Sequence, residues 1–355
     1  MSVSATSSEL SLVTGATGLL GSHLAEQLCR RGVTVRALVR PTSDIRFLQS
    51  LGVECVVGDL TSPESCRQAI QGVDRVYHAA AKVGDWGDWV QFERDCLVAT
   101  RVLARAACEA GVHRFVQFSS TSAYGHPREG GPPIEETHPL GEHLWPVWDY
   151  YTRSKVECEK ILWGLVPEGL RLTIIRPSWL YGERDRTTTE RIVRRVRTGI
   201  VSLMGSGTNP LSAIYAGCVA EAAILAANTP AAEKQAYNVT DQGPINQREF
   251  FNLWARAAGA PPVKRKLSYP FAFNAALGFE AWARLWRSPT APLITRYSVW
   301  LMGRNLAYSS AKIRKELGWS PSCTYQEGIE RTVRWFDAAR QAPHARSSSE
   351  FWDYC

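Results

Sequence analysis

The sequence predicts an α/β protein: a doubly wound parallel sheet with a smaller, mostly helical C-terminal lobe. Three observations predict it. Strand-type apolar runs alternate with helix-type ones from Leu10 to Pro177. A glycine-spaced turn joins the first strand to the first helix. After Gly182 the alternation loosens and helical spacing dominates. Parallel strands need crossover helices, so strict alternation is the signature of such a sheet.

The first turn reads Thr14-Gly15-Ala16-Thr17-Gly18-Leu19-Leu20-Gly21 between Leu10-Ser-Leu-Val and Ser-His-Leu-Ala-Glu-Gln-Leu28. The first glycine permits a tight turn. The second lets backbone approach a pyrophosphate, and the third lets helix and strand pack closely. The helix N-terminus then offers free N–H groups to an anion. Gly15, Thr17, Gly18, Leu19 and Gly21 are therefore cofactor-binding candidates. The triple is a weak pattern in isolation; its place between strand and helix carries the argument.

Val33–Val39 alternates as a second strand and ends at Arg40. The end of that strand meets an adenosine ribose in dinucleotide-binding sheets. Arg36 and Arg40 stand here with no carboxylate before Asp44, and arginine suits a 2′-phosphate, so NADP(H) is favoured over NAD(H). Asp44 keeps a ribose-hydroxyl reading open. Val53–Val57 is a third strand ending in Gly58-Asp59-Leu60. Asp59 either meets adenine or caps a helix opening near Pro63. Asp74–His78 is a fourth strand, and Ala79-Ala80-Ala81 leaves room for a cofactor against backbone. Phe92–Ala110 is helical and Gly111 stops it. His113–Phe118 is a fifth strand, ending in Ser119-Ser120-Thr121-Ser122-Ala123-Tyr124-Gly125. Hydroxyls at the carboxyl edge of a sheet lie where such sheets bind ligands.

Residues 127–146, rich in Pro and Gly, read as a loop over that edge. Tyr150-Tyr151-Thr152-Arg153-Ser154-Lys155 opens a helix to about Trp163, and Tyr151 and Lys155 share a face at i, i+4. Leu170–Arg176 is a sixth strand followed by Pro177. Residues 187–198 form a basic helix read as a solvated face. Cys218–Ala227 is helical, Tyr237–Val239 a short strand, and Asn246 with Glu249 a capping box for a helix to Ala258. From Lys264 to Leu306 the chain is rich in aromatics and Pro. There Glu280, Arg284 and Arg287 fall opposite Phe271, Ala275, Gly278, Trp282 and Leu285, an amphipathic helix that packs as a lid on a substrate pocket or rests on a membrane. Tyr325–Ala339 is a last helix. Residues 1–177 plus about 211–243 are assigned to the cofactor domain, 178–210 and 244–340 to the substrate lobe, and 341–355 to a loose tail.

Composition narrows the classes. The formal charge is +7, from 41 Lys+Arg against 34 Asp+Glu, and the cations are scattered. No basic-aromatic module for nucleic acid is present. The nine cysteines show no CxxC and no metal spacing, which fits a reducing, cytoplasmic setting and no metal centre. Neither a secretory signal nor a stretch of ~18 uncharged apolar residues is found, so no membrane span is expected.

Together these residues resemble the extended short-chain dehydrogenase/reductases. The turn Gly15-xx-Gly18-xx-Gly21, Asp59-Leu60, His78-Ala79-Ala80, Ser119-Ser120 before Tyr124-Gly125, Tyr151-xxx-Lys155, Arg176-Pro177 and Leu317-Gly318-Trp319-xx-Pro321 fall in that family's order over nearly the whole chain. The run Ala79-Ala-Ala-Lys-Val-Gly-Asp-Trp-Gly-Asp-Trp89 is most similar to the 3β-hydroxysteroid and sterol-4-carboxylate dehydrogenase branch, which includes reductases of long-chain 3-oxoalkanoates. The resemblance implies a Rossmann sheet and an NAD(P)(H)-dependent alcohol/ketone oxidoreductase. Ser120, Tyr151 and Lys155 would be catalytic, and Arg40, Asp59, Leu60, Ala79, Ala80, Tyr151, Lys155 and Pro177 would bind cofactor with the turn. It also implies a small apolar substrate and a homodimer through the helices carrying Cys96 and Tyr151. A free tyrosine titrates near ~10, and an ammonium one turn away favours its phenolate. Thr121 is the reserve hydroxyl and Tyr150 the competing tyrosine, five residues from the lysine. Two departures stand out: Cys96-Leu-Val-Ala-Thr100 replaces the family's usual Asn-xx-Gly-Thr, and Tyr215-Ala-Gly-Cys218 replaces its usual Val-Asp segment. A nucleotide-sugar epimerase or dehydratase, or a non-catalytic cofactor-binding regulator, are the competing readings. Peripheral membrane contact through 267–287 is the competing expectation for location.

Overall fold

A computed structural model describes residues 9–82, 84–185, 188–240 and 245–341. The expected tail beyond Gln341 lies outside them.

Seven parallel strands form the central sheet. Six are β1 (Leu10–Thr14), β2 (Thr34–Val39), β3 (Glu54–Val57), β4 (Arg75–His78), β5 (Arg114–Phe118) and β6 (Leu172–Pro177); the seventh is the edge strand Gln235–Val239. Their spatial order is edge strand, β6, β5, β4, β1, β2, β3. The direction of winding therefore reverses between β1 and β4, and the crevice outside the carboxyl ends of those two strands is where such sheets hold ligands.

Neighbouring residues of each strand feed opposite cores. Val13, Tyr77, Val116 and Ile175 pack with Leu20, Leu24 and Leu28 of helix α1 (Leu19–Arg30) and with Val219 and Ala223 of the helix Ala216–Asn228. Leu12, Val76, Phe115 and Ile174 pack on the other side with Cys66, Leu103, Ala107 and Leu162. A strand covered on both faces carries apolar neighbours rather than an alternation, as Leu12-Val13, Val76-Tyr77 and Ile174-Ile175 do, while β2 alternates about the half-buried Arg36.

Local chemistry sets the helix starts. The helix Pro63–Ile70 is capped by Ser62, whose hydroxyl accepts from Ser65 N at 3.3 Å. Asp59 therefore is not the cap; its carboxylate accepts from Thr61 N and Oγ1, both at 2.8 Å. The Asn246–Glu249 capping box opens the helix Gln247–Ala257. The expected plain helix over 92–110 is interrupted. A π-helical stretch, Glu93–Val98, joins Trp89–Phe92 to Ala99–Glu109, and Cys96 in it accepts from Lys82 N at 3.4 Å. Wide turns of this kind recur at functional sites. Three short strand pairs were not legible: Trp179–Tyr181 with Ala213–Tyr215, Pro210–Leu211 with Ile245–Asn246, and Leu203–Met204 with Lys266–Leu267. With two or three residues each, they carry no periodicity.

The helix Tyr269–Leu285 is amphipathic, but its faces are turned unexpectedly. Glu280 is buried and Arg284 half-buried, while Phe271, Trp282 and Leu285 face solvent. The cause is an ion pair: the Arg296 backbone N–H and Nε donate to Glu280 at 2.6 and 2.7 Å inside the protein.

Among the described residues no helix is long and apolar enough to cross a membrane. None of their His, Cys, Asp and Glu side chains form a group that could hold a metal ion.

Candidate active site

The turn after β1 is built for close approach. Gly15 has φ +68°, and a Cβ there would lie 2.7 Å from Ala80 N. A Cβ on Gly21 would lie 2.2 Å from the Gly15 carbonyl oxygen. Gly18 stands at the N-cap of α1 with no side-chain cap, and the first turn carries no acid. Its N–H groups are left for an anion. Thr17, Gly18 and Leu19 are open to solvent at least in part, with half-buried Ala79 and Ala80 across the switch point. A cradle that any side chain would fill, at an uncapped helix start, fits a dinucleotide pyrophosphate.

The two arginines of the second strand separate. Arg36 donates to Ala69 O and Gln71 O at 3.0 and 2.7 Å and pairs with Glu54 at 3.0 Å, so it is spent within the protein. Arg40 is exposed, and among the described residues its guanidinium has no hydrogen bond or ion pair. Asp44 is gripped by Arg46 at 2.9 and 2.8 Å. At the end of β3, the Thr61 backbone N–H and then its hydroxyl hold the Asp59 carboxyl below the usual range. Leu60 packs partly into the core beneath, and Pro177 closes β6.

Chemistry gathers at the end of β5. Tyr151 and Lys155 lie on the helix Tyr150–Leu165, with the Lys155 ammonium 5.7 Å from the Tyr151 ring centre. Lys155 Nζ also donates to Phe118 O at 3.4 Å. Burial works against this ammonium, but Tyr151, Cys96, Cys158 and Glu159 outweigh it and hold its pKa above the usual lysine value. Ser120 caps the short helical turn Thr121–Tyr124: its hydroxyl accepts from Ser122 N at 3.1 Å and donates to Ser122 Oγ at 3.0 Å. Thr121, the reserve, is buried. Tyr150 turns away and packs on Trp89 and Phe92.

Two buried networks brace this centre. His78 joins Thr14 Oγ1 at 2.7 Å and Thr100 Oγ1 at 3.0 Å. Burial, helped by Lys155, drives its pKa down from 6.5 to about 3. Burial and Arg184 do the same to His23 on α1. Both are neutral in the folded chain and titrate near 6.5 once unfolded. The unfolded state therefore binds more protons below that pH, and stability falls as pH drops from 6.5 toward 3. Unfolding free energies from urea titrations at pH 7 to 4 should fall, with a slope that steepens below 6.5 toward about 1.4 kcal/mol per unit for each histidine, and His78→Asn should flatten the curve.

In the second network Glu159 accepts from Ser119 Oγ at 2.5 Å and from Arg176 Nε and Nη2 at 2.9 and 2.7 Å. Arg176 Nη1 donates to Tyr124 OH at 2.9 Å, and that hydroxyl donates to Asn238 Oδ1 at 2.6 Å.

A narrow cleft of about 10 Å³, room for about one water, opens beside Tyr151, lined by Asp85, Trp86, Trp145, Trp148, Asp149, Tyr297, Glu280 and Arg284. The aromatic-rich segment read as a lid on a substrate pocket supplies Glu280, Arg284 and Tyr297 to it; the charged groups were not expected. Glu280 is neutralised by Arg296, and Asp149 is hydrogen-bonded with His126 Nε2 at 2.7 Å and accepts from Trp145 N at 3.0 Å. Burial raises the Asp85 carboxyl above its usual range. Arg284 lies over the rings of Trp86, Trp148 and Tyr150 at 4.5, 5.0 and 5.4 Å. Sequence reasoning also missed Tyr297, whose ring meets Tyr151 edge-on at 5.4 Å and whose hydroxyl is 2.6 Å from Ser122 Oγ. Burial, then Tyr151, push the Tyr297 phenol well above its usual value, so it stays protonated. One signal was available: Glu280 is the lone acid between Glu249 and Glu316, and an isolated acid among apolar residues asks for a buried partner.

With this geometry in hand, the chain belongs to the NAD dependent epimerase/dehydratase family, whose model matches residues 11–240. It is 29% identical over 93% of its length, and 95% of the relative's, to the 4-hydroxy-2-methyl-3-oxo-4-farnesyl-3,4-dihydroquinoline-1-oxide ketoreductase of Stigmatella aurantiaca. It is 31% identical to the 3-beta-hydroxysteroid dehydrogenase of Mycolicibacterium neoaurum, covering 92% of this chain and 90% of that one. Among solved structures, the UDP-glucose 4-epimerase of Thermus thermophilus in complex with NAD superimposes with a TM-score of 0.72, at 26% identity over 93% of this chain and 99% of that one. The sheet, the cradle and the family together define a nicotinamide-cofactor-binding protein.

Proposed function

We propose that the chain interconverts a secondary alcohol and a ketone on an apolar substrate, sterol-like or long-chain 3-oxo/3-hydroxy, with NADP(H) favoured over NAD(H). The observation that carries this is the Tyr151–Lys155 pair at the end of β5, with Tyr151 on a cleft whose other aromatics are Trp86, Trp145, Trp148 and Tyr297. The bound nicotinamide supplies or accepts the hydride at the carbinol carbon. Tyr151 gives the substrate oxygen its proton or takes it away. The Lys155 ammonium stabilises the phenolate form and binds the nicotinamide ribose. Ser120 hydrogen-bonds the substrate oxygen, with Ser122 and the protonated Tyr297 fixing its hydroxyl. Gly15, Thr17, Gly18, Leu19 and Gly21 hold the pyrophosphate, Asp59 and Leu60 the adenine, and Ala79, Ala80 and Pro177 the nicotinamide end. Residues 178–210 and 244–340 serve as the substrate lobe.

The test is NADPH absorbance with long-chain 3-oxo substrates and 3-ketosteroids on one side, and sugar nucleotides by calorimetry on the other. Turnover of the ketones without sugar-nucleotide binding supports the reading; the reverse makes the chain an epimerase or dehydratase. NADPH binding without turnover of any ketone makes it a regulator.

The cofactor preference rests on Arg40, a cation whose guanidinium has no hydrogen bond or ion pair among the described residues. Arg40→Ala should raise the NADPH KM about 10- to 100-fold, the loss of one charge-assisted contact, and leave the NADH KM unchanged. The homodimer proposed through the helices carrying Cys96 and Tyr151 follows the family resemblance. Light scattering should then give twice the chain mass.

A further inference from the structure

The helix Tyr269–Leu285 lines the cleft with Glu280 and Arg284 and carries large apolar side chains outward. Its inner face is Ala272, Ala276, Ala283 and Glu280, all buried. Its outer stripe carries Phe271 at 66% exposure, Trp282 at 63% and Leu285 at 79%, with Trp286 at 70% just beyond. These positions fall within one side of a 3.6-residue helix. A stripe of that size is costly in water and marks a contact surface.

The surrounding charge says what the contact is. Between Glu249 and Glu316 the only acid is Glu280, and it is buried against Arg296. The exposed charges that bracket the helix in the sequence are Lys264, Arg265 and Lys266 before it and Arg287 after it, all positive, while the exposed Asp88 of another loop faces Arg284, on the helix side away from the stripe, at 3.8 Å. We propose that this face docks on an anionic lipid surface. Tryptophan, phenylalanine and leucine on one stripe enter the headgroup boundary, and the flanking cations attract acidic lipid headgroups. A protein partner would need a matching groove and acidic rim; a bilayer needs only the stripe and the cations.

The docked pose has a consequence for the cleft. Glu280 and Arg284 on the inner face of the same helix line it, so an apolar substrate leaving the bilayer meets the site one helix-width away. Docking stands on the surface alone; only substrate delivery rests on the reductase reading.

Full-length protein is floated with vesicles of phosphatidylcholine, and with vesicles of equal parts phosphatidylcholine and phosphatidylglycerol. It should float with the second and not the first, and high salt should weaken the association. The triple variant Trp282→Ser, Leu285→Ser, Trp286→Ser should lose about a hundredfold or more of partition, since each buried apolar side chain contributes severalfold to tenfold or more. Lys264→Ser, Arg265→Ser, Lys266→Ser should lose partition to the anionic vesicles specifically. Because the substituted side chains face solvent, both variants should keep the wild-type melting temperature and NADPH-linked turnover of a water-soluble ketone. Absence of flotation in wild type overturns the proposal. So does a chain whose self-association is abolished by the triple variant while neither protein floats, which would assign the face to a second copy. Flotation without turnover in either protein leaves docking intact and removes the reductase reading.

Discussion

Tyr151→Phe should lower kcat about 10²- to 10⁴-fold while NADPH still binds. The substitution deletes one oxygen and keeps the ring, so the edge-on contact with Tyr297 survives. What disappears is the group that moves the proton to and from the substrate oxygen. Tyr297 cannot replace it. It is buried, its phenol is pushed well above the usual value, and its hydroxyl is committed to Ser122. Tyr150 cannot either, because its ring packs on Trp89 and Phe92. Single-turnover kinetics should show hydride transfer slowed, and cofactor fluorescence titration should show an unchanged Kd. Lys155→Met should differ by damaging both, since that ammonium supports the phenolate and the ribose together. A Tyr151→Phe enzyme with near wild-type kcat would remove the proposed mechanism.

Glu159→Gln should destabilise the chain by about 3–5 kcal/mol, the expected cost of leaving one partner of a buried ion pair uncompensated. Glu159 is fully buried and Arg176 nearly so. Their two hydrogen bonds, with the one from Ser119, lock the helix that carries Tyr151 onto the ends of β5 and β6. Tyr151, Lys155 and Glu159 repeat every fourth residue, so the anchor and the chemistry share one helix face. Replacing both partners, Glu159→Met with Arg176→Met, should recover much of the stability, because an apolar pair leaves no charge behind. Urea unfolding of the single and double variants checks this. A single variant as stable as wild type would show the pair to be dispensable.

The legible parts of the site are those fixed by local backbone needs. Gly15 and Gly21 announce themselves because a neighbouring backbone lies where their Cβ atoms would be. Tyr151 and Lys155 announce themselves because a helix turn brings them together. Arg36 and Arg40 both stand on the second strand in the sequence, with Arg40 at its end, and the structure separates them. Arg36 is spent on the carbonyls of Ala69 and Gln71, contacts 33 and 35 residues away. Asp59 looked like a helix cap, but Ser62, one residue ahead of Pro63, occupies that position.

By itself the sequence determined the alternation of strand and helix, the parallel sheet, the phosphate-binding turn and the tyrosine–lysine face. Each is set by residues within a few positions of one another, through steric limits or helical period. Only the tertiary structure decided which wall closes the cleft, that Tyr297 and Asp85 line it with Tyr151, and which way the helix Tyr269–Leu285 turns. Periodicity gives that helix two faces but cannot rank them. The choice belongs to Arg296, sixteen residues from Glu280, whose buried guanidinium gains a carboxylate to balance its charge only when the acidic face turns in and the tryptophans turn out.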